Sequence, residues 1–196
     1  MNLLPQNIEI LLASKSPRRL QLLTQLGLNV QIIQQDIAET YPDDMPLYDV
    51  PAYLATQKAA VPLSFAQQTH QIIIAADTMV IMDDEVFHKP QNLADGQRIL
   101  ARLQSRSHAV VTGVCIRTVE KTVSFWDKAT VTFAPMSSQE IDFYLHQFAP
   151  YDKAGAYAVQ EWIGLSKITK IEGSFATIMG LPTHLVYQYL QNLYPK

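Results

Sequence analysis

The sequence predicts an α/β fold in which helices flank a mixed, twisted sheet. Short apolar runs typical of strands alternate along the chain with amphipathic stretches at helical spacing. Residues 71–77 contain the run IIIAA, which is typical of an interior strand buried on both faces. Two long strand-like segments, 108–119 and 121–133, follow each other across a tight turn. A hairpin of that length indicates a mixed rather than a purely parallel sheet.

The first strand and helix have clear boundary signals. Residues 8–13 form a predicted buried strand, Ser16 is a suitable N-cap, Pro17 a suitable first helical residue and Gly27 a suitable stop. The other elements follow from periodicity and turn residues. We expect strands at 30–33, 79–82, 85–87 and 174–179, a turn at 83–84, a loop at 39–51, and helices at 52–63, 93–103, 137–147 and 182–193.

Composition and charge restrict the class of protein. The 196 residues, 48% hydrophobic and 17% charged, predict a single domain over residues 1–196 with a buried core. A net charge of −3 argues against a general nucleic-acid binder. The single cysteine fits a reducing compartment, and no apolar run approaches the roughly 18 residues of a membrane span. Because a signal-peptide pattern is also missing, we expect a cytoplasmic protein without membrane or nucleic-acid partners.

Arg18 and Arg19 lie in the first turn of the helix predicted from Pro17. Cations there oppose the helix dipole, by a few tenths of a kcal/mol up to about 1 kcal/mol each. In one interpretation both side chains extend into water. In the other, the two guanidinium groups and the free N–H groups of the helix surround an anion.

Several familiar sites are excluded. The seven glycines lie too far apart for a P-loop or a GxGxxG motif, and the five histidines do not have the spacing of a zinc site. No GxSxG elbow occurs. An anion bound by this chain is therefore held without a glycine-rich loop.

The remaining candidates are charged residues at junctions between elements. Asp77 ends the predicted IIIAA strand, where α/β folds place reactive groups, although a turn-forming aspartate is the alternative. Lys58 lies on a predicted helix and Lys89 precedes a proline; an exposed or snorkelling lysine is the simpler interpretation of each. The segment YDKAGAYAVQ, 151–160, is either a structural loop or part of a site holding a base and a phosphate.

Five segments together resemble the signature blocks of the Maf family of nucleoside triphosphate pyrophosphatases. They occur in family order and span nearly the whole chain: ASKSPRR (13–19), AADTMV (75–80), KP (89–90), DKAGAYAVQ (152–160) and EGSFATIMGLP (172–182). The resemblance implies a two-lobed, Maf or ITPase-like α/β fold around a nucleotide-binding cleft, often as a homodimer. It also implies hydrolysis of a nucleoside triphosphate to its monophosphate and pyrophosphate, assisted by Mg²⁺ or Mn²⁺.

The resemblance also implies roles for individual residues. Ser14, Arg18 and Arg19 match the triphosphate-binding segment, so the helix end becomes a phosphate site. Asp77 matches the general base that accepts a proton from the water attacking the α-phosphorus. Further matches are polar residues of the cleft, Glu39, Lys58 and Lys89, and the loop that closes over the site, Asp152 and Lys153.

Metal binding is assigned by the same resemblance. Glu39 and Asp77 are the expected metal ligands, since Mg²⁺ needs only one or two carboxylates besides phosphate oxygens and water. The sequence leaves open whether Asp77 is the base or a metal ligand.

Substrate preference follows from three positions. Arg18, Thr78 and Gln160 resemble the family branch that acts on dTTP and UTP, and a Gln amide pairs with the adjacent carbonyl and N–H of thymine or uracil. We therefore expect dTTP and UTP as substrates, with CTP or modified pyrimidine nucleotides beside them. The alternatives are a pyrophosphatase for another nucleotide, such as 7-methyl-GTP, and a non-catalytic nucleotide-binding regulator of cell division.

The chain departs from the family pattern at three positions. Glu161 follows Gln160 where the family usually has Gly, Tyr53 stands where Arg is common, and Thr177 lies near an expected Asn. None of these changes removes the expected base or phosphate ligands. They bear on substrate preference and turnover rate.

Overall fold

A computed structural model describes residues 8–33, 37–60 and 71–193 and is an α/β structure with a seven-stranded sheet flanked by helices. The strands are Glu9–Ala13 (β1), Val30–Ile32 (β2), Gln71–Met82 (β3), Glu85–Phe87 (β4), Ser107–Arg117 (β5), Thr122–Phe133 (β6) and Ile168–Glu172 (β7). The helices are Pro17–Gln25 (α1), Val50–Ala59 (α2), Leu93–Leu103 (α3), Ser138–Phe148 (α4), Trp162–Lys167 (α5), Phe175–Met179 (α6) and Thr183–Leu193 (α7). No helix in these ranges is long and apolar enough to cross a membrane.

The sheet is mixed, as predicted. Hydrogen bonds join its strands in the order β2-β1-β3-β5-β6-β7, and β4 pairs with β3. Strand β1 is parallel to β2 and β3, whereas β4 is antiparallel to β3 and β7 is antiparallel to β6. The register of β1 and β3 places Ala13 opposite Ala75.

The chain divides into two compact units, each with its own apolar cluster. Unit 1 comprises Met1–Asp77, Thr112–Asp127 and Gly180–Lys196, and unit 2 comprises Thr78–Val111 and Lys128–Met179. In unit 1, small and branched side chains of β1, α2 and β3 pack around Cys115. In unit 2, a larger cluster joins α3 and α4 to β4 and to the ends of β3, β5 and β6.

Local signals in the sequence explain where several elements begin and end. Helix α4 has a complete capping box: the Ser137 hydroxyl accepts the Glu140 amide, and the Glu140 carboxylate accepts the Ser137 amide. Asp83 and Asp84, with φ of 53° and 59°, form the tight turn between β3 and β4. Gly27, with φ of 78°, follows the last turn of α1. The predicted turn at 83–84 and the predicted stop at Gly27 are confirmed, and helix α3 has the predicted bounds.

Several elements differ from the sequence predictions. Residues 174–179 were expected as a strand, but the structure has helix α6 there, because a run this short does not distinguish the two periods. Helix α5 and strand β7 are not indicated by the sequence. In β7 apolar and polar residues alternate only weakly, and the strand forms because it pairs with β6.

Two elements end at other residues than predicted. Strand β3 continues to Met82 rather than ending at Asp77. Helix α2 ends at Ala59, and residues 61–63 of the expected helix lie outside the described residues.

His108 is a buried titratable group in the core of unit 2. Its Nε2 lies 2.7 Å from the Tyr157 hydroxyl, and its ring packs against Phe133. Burial lowers the pKa of His108 to about 4, so the ring is neutral in the folded protein at pH 7.

This histidine makes the fold sensitive to acid. Between its ordinary pKa of 6.5 and about 4, the unfolded chain binds a proton at His108 that the folded chain does not, so the free energy of unfolding falls as the pH is lowered. At about 1.36 kcal/mol per pKa unit, the loss is about 3 kcal/mol. Denaturant unfolding at pH 7 and pH 4.5 measures this loss of unfolding free energy.

In His108→Gln this acid-dependent loss is expected to disappear. The control His184→Gln, at a half-exposed ring, is expected to lose as much unfolding free energy as the wild type. Equal acid sensitivity of wild type and His108→Gln would contradict the assignment.

Candidate active site

The candidate site in unit 1 begins where β1 ends beside β3. Because Ala13 pairs with Ala75, the residues that follow each of them lie at the same edge of the sheet. Ser14 follows β1 directly, and Asp77 lies two residues beyond Ala75, past the end of its partner strand. The side chain of Asp77 is only 12% exposed. The junction between elements that the sequence predicted therefore exists, although it is the end of β1 and not the end of β3.

Arg19 is turned toward this edge by two hydrogen bonds. Its Nε donates to the carbonyl of Gly180 at 2.8 Å, and one terminal nitrogen donates to the Ser14 hydroxyl at 3.0 Å. The Ser14 hydroxyl also accepts the amide of Ser16 at 3.2 Å. Arg18 and Arg19 are both half-buried. The interpretation in which both arginines simply extend into water does not describe Arg19.

The start of helix α1 adds to the positive character of this region. Among the described residues, Ser16 occupies the N-cap position without a side-chain hydrogen bond to the helix, and the first turn contains no acidic residue. The N–H groups of the first turn are thus not taken by a capping side chain. An anion is the ligand that such a helix end favours.

Lys58 joins two of the predicted acidic residues. Projecting from α2, its Nζ forms ion pairs with Asp77 and with Glu39, the latter at 2.6 Å. The Lys58 side chain is 15% exposed, so the simpler interpretation of a snorkelling surface lysine is wrong. Because Lys58 carries one charge and its partners two, the trio is net negative, whereas the neighbouring Arg18 and Arg19 are positive.

The two groups of charges influence each other. Burial lowers the pKa of the Arg19 guanidinium, the negative charge of Asp77 opposes that shift, Arg18 adds to it, and Glu39 opposes it. The guanidinium remains charged, since arginine is not deprotonated in proteins. The site thus combines a fixed cation suited to phosphate with a mostly buried carboxylate suited to proton transfer or metal binding.

The donor set of this site fits a hard divalent cation. Glu39 and Asp77 both contact the ammonium group of Lys58, so the two carboxylates face one common position, which is occupied by this positive charge. Among the described residues, no group of three or more His, Cys, Asp or Glu side chains could hold a metal. Two carboxylates with substrate oxygens and water suit Mg²⁺, which rarely uses a cage made only of protein ligands.

The other predicted site residues belong to unit 2. Lys89, which follows β4, and Gln160 are exposed, whereas Thr78, next to Asp77 in β3, is half-buried. The Lys153 ammonium lies 2.6 Å from the Asp152 carboxylate and is only 11% exposed. The structure therefore assembles Ser14, Arg18, Arg19, Glu39, Lys58 and Asp77 within unit 1, and it presents the remaining five on unit 2.

Sequence reasoning missed two contributors. The Gly180 carbonyl that holds Arg19 belongs to the segment 172–182, whose sequence indicates a family resemblance but no contact with Arg19. Tyr144 on α4 hydrogen-bonds to Glu161, beside Gln160. No local signal could reveal Tyr144, because its partner lies 17 residues further along the chain.

The matching family and curated relatives extend over nearly the full length of the chain. Residues 9–193 match the family described as Maf-like protein. A dTTP/UTP pyrophosphatase of Porphyromonas gingivalis W83 is 46% identical over 188 residues, covering 94% of both chains. A dTTP/UTP pyrophosphatase of Phocaeicola vulgatus is 41% identical over 191 residues, covering 96% of this chain and 97% of the relative. Among solved structures, the Staphylococcus aureus Ham1 protein matches at 15% identity with a TM-score of 0.45, covering 64% of this chain and 72% of the other. By the family match and the two relatives of 41–46% identity, the chain belongs to the Maf family.

Proposed function

We propose that this protein is a nucleoside triphosphate pyrophosphatase that hydrolyses dTTP and UTP to the monophosphate and pyrophosphate. The observation that carries the proposal is the cluster in which the mostly buried Asp77 pairs with Lys58 close to Arg19. The substrates come from the relatives at 41–46% identity, which bear the name dTTP/UTP pyrophosphatase.

Asp77 is the proposed general base. It accepts a proton from water as the water oxygen bonds to the α-phosphorus, while the bond from that phosphorus to the bridging oxygen breaks and pyrophosphate leaves. The ion pair with Lys58 supports this role because it fixes the carboxylate and engages one of its oxygens, Oδ1. A positioned base contributes about 10² to 10⁴ in rate.

Arg18, Arg19 and the start of α1 form the proposed triphosphate site. Ser14 and Gly180 hold the Arg19 guanidinium in one orientation, which lowers the entropy cost of binding an anion. Lys58 and Lys89 are proposed to oppose the negative charge that develops on the leaving pyrophosphate. Lys153 is proposed to contact the phosphates of the bound nucleotide.

Glu39 and Asp77 are the proposed ligands of a divalent cation, Mg²⁺ or Mn²⁺. When bound, such a cation supplies charge neutralisation at the phosphate oxygens. The protein's part is to orient both carboxylates through their ion pairs with Lys58.

Gln160, with Arg18 and Thr78, is proposed to select the base. The exposure of Gln160 supports this role, because its amide is accessible to a ligand. An amide offers one acceptor and donors, which match the carbonyl and N–H of thymine and uracil. Guanine offers the same pair of groups on a larger ring system, so discrimination against it depends on where the Gln160 amide is held.

Pyrophosphate release from a nucleotide panel tests the proposal. The panel contains dTTP, UTP, CTP, GTP, ATP and 7-methyl-GTP, each with Mg²⁺, with Mn²⁺ and with a chelator. We expect release from dTTP and UTP that depends on the added cation. Activity confined to a purine nucleotide would contradict the assignment of Gln160. Nucleotide binding without release would instead support a non-catalytic regulator.

A further inference from the structure

The carboxylate of Glu161 is held between two groups of unit 2. Its Oε2 accepts a hydrogen bond from the Tyr144 hydroxyl, and its Oε1 lies 3.6 Å from Lys153 Nζ. The Glu161 side chain is 21% exposed. A carboxylate withdrawn this far from water loses free energy unless it is hydrogen-bonded or paired. The two contacts therefore fix its position.

Tyr144 extends this contact to the backbone before Gln160. The side chain is fully buried on α4, and its hydroxyl accepts the Ala158 amide at 3.1 Å while it donates to Glu161. Burial raises the pKa of Tyr144, and the hydrogen bond to Glu161 raises it further. The hydroxyl therefore stays protonated and remains a donor to Glu161.

The backbone between these contacts has little room to move. A Cβ atom on Gly164 would lie 1.8 Å from the carbonyl oxygen of Val159, so the start of α5 is packed directly against the residue before Gln160. Val159 itself is buried, whereas the next residue, Gln160, is exposed. The segment is thus anchored on both sides of an accessible amide side chain.

We propose that Glu161 is a positioning residue that sets the place of both Lys153 and Gln160. Through its direct ion pair it orients the Lys153 ammonium, which Asp152 also contacts. Through Tyr144 and the Ala158 amide it fixes the backbone that carries Gln160. Affinity for the phosphates and preference for a pyrimidine are thereby linked to one carboxylate. This inference rests on the proposed function.

Three substitutions separate the two contacts. Glu161→Ala removes both, Glu161→Gln keeps an acceptor for Tyr144 but removes the charge beside Lys153, and Tyr144→Phe removes only the hydrogen bonds of the hydroxyl. Glu85→Gln is the matched control, since Glu85 pairs with Arg102 on an exposed part of unit 2. Steady-state kinetics with dTTP, UTP and GTP are compared for all five proteins, with melting temperatures to account for any loss of folded enzyme.

For Glu161→Ala we expect KM for dTTP and UTP to rise about tenfold, as for a lost charge-assisted contact, with kcat within about twofold of wild type. Its preference for dTTP over GTP is also expected to fall. Glu161→Gln is expected to keep the wild-type preference for dTTP over GTP but to have the raised KM. Tyr144→Phe is expected to keep the wild-type KM but to lose part of the preference for dTTP over GTP. A merely structural role would reduce the folded fraction and kcat and would not divide the effects in this way.

Hydrogen exchange without nucleotide provides a second measurement. The peptide containing residues 155–160 is expected to exchange faster in Glu161→Ala and Tyr144→Phe than in wild type and Glu85→Gln. Tyr144→Phe removes the acceptor of the Ala158 amide, and Glu161→Ala removes the carboxylate that holds this acceptor in place. Unchanged exchange together with kinetics equal to those of Glu85→Gln would overturn the positioning role. Wild-type enzyme that releases no pyrophosphate from dTTP or UTP would instead overturn the proposed function, and with it the kinetic part of this inference.

Discussion

Asp77→Asn is expected to lower kcat for dTTP by about 10² to 10⁴, the contribution of a positioned general base. The amide keeps the size of the carboxylate and still offers an oxygen to Lys58, which also retains its pair with Glu39. What the variant loses is the ability to accept a proton. Measured kcat for pyrophosphate release, together with nucleotide affinity by calorimetry, tests whether turnover falls while binding persists.

Asp83→Asn is the control for this substitution. Asp83 lies on the exposed turn between β3 and β4 with φ of 53°, a conformation that Asn tolerates, and its ion pair with Arg106 is at the surface. Turnover by Asp77→Asn at the level of this control would show that Asp77 is not the base. A rate restored by raised Mg²⁺ concentration would show that Asp77 acts as a metal ligand.

Arg19→Ala is expected to weaken nucleotide binding by about 10- to 150-fold, since a hydrogen bond to a charged group contributes about 1.5–3 kcal/mol. The reason lies in the geometry of the side chain. Two of its N–H groups already bond to Gly180 and Ser14, which orients the rest of the guanidinium. Calorimetric titration with dTTP measures the loss in affinity.

Arg19→Lys is expected to recover little of this affinity. A single ammonium group cannot reproduce the planar set of donors that contacts Gly180 and Ser14 and still faces a phosphate. Arg98→Ala is the control, because Arg98 is an exposed arginine on α3 paired with Asp95. Full affinity in Arg19→Lys would indicate that the positive charge alone binds the nucleotide, and that the orientation of the guanidinium N–H groups does not matter.

The local structure around the site could be predicted from the sequence because the signals for it are short-range. Ser16, Pro17 and Gly27 mark the bounds of α1, and Asp83-Asp84 marks the turn after β3. Each of these depends on backbone geometry within a few residues. The same kind of signal was insufficient for residues 174–179, where a short, mostly apolar run suits either a strand or a helix and packing decides in favour of α6.

By itself, the sequence determined the alternation of strands and helices, the exclusion of glycine-rich phosphate loops and the residue types available for chemistry. Only the tertiary structure decided that Lys58 bridges Glu39 and Asp77, that Arg19 is held by Gly180 from 161 residues away, and that Tyr144 anchors Glu161. The physical reason is that such contacts depend on which strands pair and in which register. The pairing of Ala13 with Ala75 is what brings Ser14 and Asp77 to one edge of the sheet, and no spacing along the chain specifies it.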